Sequence, residues 1–245
     1  MRTAIALGFL ATIGACASSS PTMEPRPVPV ASDAFMLRRD WRTTVIAERD
    51  DSIILTMPSG DHQLQRIHRV ATFTLTTAAN GAVSIHLDSV RTEPVGSSGG
   101  AQDVAGLVQQ IVPRIPNTGA RPNSLWLDSA NGPTSTDIFK VSERRNGTWS
   151  TGNLTRVSGG QTMAVRLRED FEQIGSGSND RQLLTYTSQG RRTGTYYVES
   201  GGRLLSAQLR DSATISIGVP ATRGVMSGTR VTRTEIRFIP LGGEP

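Results

Sequence analysis

The chain has 245 residues, is 36% hydrophobic, carries a net charge of +5 and holds a single cysteine. That length suffices for one domain with a proper core, and a lone cysteine excludes an internal disulfide. The basic balance does not signal nucleic acid: Lys140 is the only lysine, the arginines are dispersed, and 5% aromatics are too few for stacking platforms.

Arg2 precedes an apolar run over residues 4–13, about ten residues and too short to span a bilayer. The following Ile13, Gly14, Ala15 and Cys16 resemble the lipobox of bacterial lipoproteins. The resemblance implies removal of residues 1–15 as a signal, acylation of Cys16, and a membrane anchor made of its acyl chains. It places the protein in the cell envelope, facing the periplasm. Ala17 in place of an aspartate favours the outer membrane over the inner. Ala15-Cys16-Ala17 also fits ordinary signal cleavage, which would give a secreted or periplasmic soluble protein. Residues 16–34 are rich in serine and proline (Pro21, Pro25, Pro27, Pro29) and read as an extended tether. At about 3 Å per residue it reaches roughly 40 to 50 Å. A β-rich domain over 35–240 and a tail at 241–245 complete the chain.

Strands are expected at 41–48 and 52–57. In TFTLTTAANGAVSIHLDSV the apolar residues Phe73, Leu75, Val83, Ile85 and Leu87 alternate with polar ones. A three-residue loop with Gly81 left-handed pairs Leu75 with Ile85 and Phe73 with Leu87. AQDVAGLVQQIV, 101–112, reads as an amphipathic helix with Val104, Leu107, Val108 and Ile111 on one face. A turn at Asn146-Gly147 would pair Phe139 with Leu154. Strands follow at 162–171 and 182–187, separated by the 175–180 loop GSGSND. A two-residue turn at Gly201-Gly202 sets Val198 opposite Leu205 and Tyr196 opposite Ala207, and a last strand covers 229–239. The fold class is mainly β: a single, strongly curved antiparallel sheet of about ten strands with one short helix, as half-barrel, barrel or sandwich.

A lipoprotein signal, long hairpins and a sparse helix resemble the LolA and LolB type of envelope carrier. The hairpin GTYYVESGGRLLSAQL is similar to one recurring in uncharacterised bacterial families. The resemblance implies an apolar cavity and carries no catalytic positions.

Chemistry-bearing motifs are sparse. GSSGG at 96–100 matches a nucleophile elbow with Ser98. That fold needs a histidine after the serine, and His62, His68 and His86 all precede it, so the motif reads as a Gly/Ser loop. No metal-ligand spacing occurs, although His68 and His86 sit on two arms of one hairpin. No carboxylate pair is distinguished, and no cofactor is implied. Asp-Ser recurs at 51, 88, 128 and 211, a pattern suited to turns and bulges. Asp211 occupies an apolar position of its run, and the alternative is that it faces inward against an arginine. The expectation is a non-catalytic envelope lipoprotein binding a lipid or other apolar ligand, with Val104, Leu107, Val108, Ile111 and Asp211 lining the cavity. The alternatives are a structural module with an envelope protein partner, and then a hydrolase.

Overall fold

The computed structural model describes residues 34–93, 104–135, 139–157, 160–179 and 182–240. The signal, Cys16, the tether up to residue 33, Ser98 with its loop, and the 241–245 tail lie outside the described residues.

Nine strands form one antiparallel sheet: β1 (Trp41–Thr56), β2 (His62–Thr77), β3 (Val83–Glu93), β4 (Leu125–Ser135), β5 (Phe139–Val157), β6 (Gly160–Asn179), β7 (Gln182–Glu199), β8 (Leu204–Val219) and β9 (Gly224–Pro240). Their order is β3-β2-β1-β9-β8-β7-β6-β5-β4, so β3 and β4 are the edges and the sheet does not close. One helix, α1 (Ala105–Ile111), packs beside β4.

Three hairpins close in the same way. At Met57–Asp61, Ala78–Ala82 and Glu199–Arg203 the fourth residue is a glycine at φ 89°, 83° and 79°. Its amide donates to the carbonyl of the first residue at 2.9, 2.9 and 2.8 Å. Glycine takes this left-handed conformation without steric cost. At Gly81 the register is as expected, with Leu75 facing Ile85 and Phe73 facing Leu87. At Gly202 it is not. The loop has three residues and so sets Val198 opposite Leu204, and a register shift between Tyr197 and Val198 then restores the expected register. Val198 and Leu204 are both buried, while Leu205 is left 40% exposed outside; Tyr196 does face Ala207.

The strands run longer than their sequence pattern suggested. Residues 41–48 and 52–56 belong to one strand, β1, with Met57 opening the turn, and 182–187 is only the start of β7. The expected turn at Asn146-Gly147 is absent, because both residues lie inside β5, and Phe139 faces Gly177 rather than Leu154. A reversal there would break two ladders, since Asn146 and Gly147 are paired to β4 on one side and to β6 on the other. Most of GSGSND continues β6 instead of ending it. β4, with Gly132-Pro133 in its sequence, showed no strand pattern; an edge tolerates the missing proline donor.

Candidate functional site

The inward faces of the strands divide into three levels along the strand direction. The first is apolar: Val45, Phe73, Met163, Val165, Tyr196 and Ile236 belong to one buried cluster. From α1, Val104, Leu107 and Ile111 join it at 3%, 1% and 0% exposure, with Val108 packed against its margin. The helix stripe therefore fills this core. Tyr196 seals the contact by donating its hydroxyl to the Gln110 carbonyl at 2.8 Å. Inside β4 and β5, Trp126 and Trp149 stack at 6.2 Å.

The second level is a charged belt. Asp51, Thr232, Asp211, Arg192, Glu169, Gly147 and Asp128 lie directly opposite one another in succession, from β1 across to β4. Asp51 accepts from the Thr232 hydroxyl at 2.6 Å, from Arg69 at 2.6 Å and from the Arg49 Nε at 3.0 Å. Arg192 grips Asp211 with two bonds, at 2.9 and 3.1 Å, and donates also to Glu169. Its guanidinium lies 5.2 Å from the centre of the Phe171 ring. Asp128 takes Arg114 at 2.5 Å. Such charges persist in an interior only when paired and hydrogen-bonded.

The belt is not electrically uniform. Burial disfavours the Asp51 charge, but Arg49, the Thr232 hydroxyl and Arg69 outweigh that and hold its carboxyl below the usual range. Glu169 goes the other way. Burial raises it, Arg192 offsets this only in part, and the nearby Glu143 adds repulsion. Arg192 is held firmly protonated: burial opposes its charge, but Asp211 and Glu169 prevail.

The third level is a chamber of about 220 Å³ above the belt. Ile53, Leu55, Ile67, Val141, Ile215 and Ile217 line it, with Phe139 and Tyr186 in ring contact at 5.0 Å. The belt residues Arg49, Asp51, Arg69, Arg192 and Asp211 form its floor, and Arg230 stands in its wall. Beside it Tyr186 donates to Gln173 at 3.2 Å, and Gln173 donates to Glu143 at 2.6 Å. From α1 the lining residues are Gly106 and Gln110. Among the sequence-derived lining residues, then, Asp211 borders the chamber and the helix stripe packs below it.

Three of the four Asp-Ser steps, at 51, 128 and 211, put their aspartate in the belt; only Asp88 sits at a bulge, between the pairs Thr72–Ser89 and Phe73–Leu87. The two hairpin histidines are not brought together. His68 faces Glu93 and bonds Asp50 at 2.8 Å, whereas His86 faces Thr74. Among the described residues no group of three or more His, Cys, Asp or Glu is placed to hold a metal, and no helix is long and apolar enough to cross a membrane. The belt residues Arg49, Glu169 and Arg192 went unrecognised in the sequence. Their signal was there: a charge in the apolar slot of an alternating run, repeated on strand after strand.

The N-terminal segment reaches the domain at the end opposite the chamber. Phe35 pairs with Ala120, and the Arg38 amide donates to the Gly202 carbonyl at 3.0 Å. From Trp41, β1 then runs to Leu55 in the chamber wall, roughly 45 Å at the usual strand rise.

No family model and no curated protein matches the chain. Among solved structures it is similar to OmpTdeltaL8, a loop L8 deletion mutant of OmpT, an outer membrane protein of Vibrio cholerae. The likeness has 7% identity and a TM-score of 0.14 over 81% of this chain and 100% of that one. A score that low carries no argument.

Proposed function

We propose that the protein is a non-catalytic lipoprotein of the cell envelope that takes the apolar part of a lipid or small amphiphile into its sheet. Acyl chains on Cys16 hold it to a membrane, the outer one by the residue that follows, and the domain stands in the periplasm. The observation that carries the reading is the chamber itself: aliphatic and aromatic walls, bounded below by a belt whose charges are spent largely on one another. A pocket with mostly apolar walls and a few placed polar groups is the usual form of a small-molecule site. Its volume is below the usual range of about 300–1,000 Å³, which favours a short chain or the end of a longer one.

Titration with a fluorescent fatty acid tests this. Saturable binding is expected, weakened at least about tenfold in Ile215→Trp, whose indole takes up chamber volume. Absence of saturable binding by the unaltered protein would sink the reading. A second reading, docking of an envelope protein, is favoured by edge strand β4, where Leu125 and Leu127 are 69% and 79% exposed.

A further inference from the structure

We infer that the chamber's ligand carries an anionic group, a carboxylate or a phosphate, held by Arg230. The inference rests on the reading of the chamber as a ligand site and names the chemical class that site takes. Arg230 lies on β9 opposite Ile53 and Ala213, one inward position beyond Thr232, and therefore at the level of the apolar walls rather than of the belt. The other inward arginines each have a carboxylate: Arg49 and Arg69 on Asp51, Arg192 on Asp211 and Glu169, Arg145 on Glu143, Arg114 on Asp128. Among the described residues Arg230 has none, and its Nε is buried with no hydrogen-bond partner.

Charge is also divided unevenly across the chamber. On the β2-β1-β9 side Arg49, Arg69 and Arg230 face inward against one carboxylate, Asp51. On the β5 to β8 side Arg145 and Arg192 meet Glu143, Glu169 and Asp211. The positive side is the one that holds Arg230. A buried guanidinium nitrogen left unpaired is costly, and an oxyanion meets it with strong, charge-assisted bonds. The whole chamber has a volume of about 220 Å³, below the usual range for small-molecule sites. It suits a short acyl chain.

The test is calorimetric titration of the full chain carrying Cys16→Ser, so that no acyl group of its own competes. The probes are octanoate, octyl phosphate, octanol, acetate and inorganic phosphate. Octanoate or octyl phosphate should bind at least about tenfold tighter than octanol, and the tighter of the two identifies the headgroup. Arg230→Gln should abolish that preference, while Arg230→Lys retains part of it; thermal melting checks that both variants fold. Equal affinity for octanol and both anions, unchanged by Arg230→Gln, overturns the inference and leaves the apolar-ligand reading intact. Binding of acetate or inorganic phosphate as tight as that of the octyl compounds supports the anion site and overturns the apolar-ligand reading. No binding by any octyl compound overturns both.

Discussion

Arg192 satisfies two carboxylates, Asp211 and Glu169, that are each only 4% exposed. Removing one member of such a network leaves the others charged and unpaired, which costs far more than the pair itself contributes. Arg192→Met keeps the volume and strands Asp211 and Glu169. A loss of about 3–5 kcal/mol in urea unfolding is expected, and a loss under about 1 kcal/mol would show that the belt is not held through Arg192. Gly147 belongs to the same row, where a Cβ would lie 3.1 Å from that of Glu169. In the sequence Asn-Gly reads as a turn; in β5 the glycine makes room for a buried carboxylate. Asp211 was legible because a single carboxylate broke a long, otherwise regular alternation. Arg49 and Asp51 were not, because two charges two residues apart look like a gap between strands.

At the scale of elements, the three glycine hairpins share a backbone and differ in their surroundings. Gly81 has open space where a Cβ would go, the nearest atom being the Arg39 Nε at 3.9 Å. At Gly202 a Cβ would fall 2.1 Å from the Met36 carbonyl oxygen and 2.7 Å from the Arg38 nitrogen, because the N-terminal segment crosses that turn. Gly81→Ala therefore bears only the left-handed backbone cost of about 1 kcal/mol. Gly202→Ala must in addition displace the crossing segment, and it should cost at least about 2 kcal/mol. Comparing the two melting temperatures checks this, and equal shifts would show that the crossing contributes nothing. The helix was legible from its 3.6-residue period, and so was its apolar face. What lay beneath that face was not, since an amphipathic stripe has the same spacing whether it caps a solid core or a cavity.

For the whole molecule, the pairing of β1 with β9 matters most. It joins Thr43 to Pro240 and links the β1 to β3 hairpins to the meander of β4 to β9. A sheet joined through strands so distant in sequence forms late, because the loop entropy must be met before those contacts exist. The same arrangement puts the entry of the N-terminal segment at one end of the strands and the chamber at the other. If Cys16 is the anchor, the chamber stands away from the membrane by the length of the domain as well as the tether. The expected outcome for Cys16→Ser is transfer from the membrane to the soluble fraction, with intact-mass measurement of the unaltered protein giving an acylated chain beginning at Cys16. A mature chain starting at Ser18 would refute the anchor.

Local rules that act within a few residues were enough to determine an antiparallel, nearly all-β fold, one helix and the turns at Gly81 and Gly202. Alternation, helical period and left-handed glycine all act at short range. Strand order, the open edges at β3 and β4, and the alignment of residues from seven strands, five of them charged, into one belt were decided only in three dimensions. Each strand carries its charge for reasons that lie on its neighbours, and the register that brings Asp51, Asp211, Arg192 and Glu169 into one row is a property of the assembled sheet.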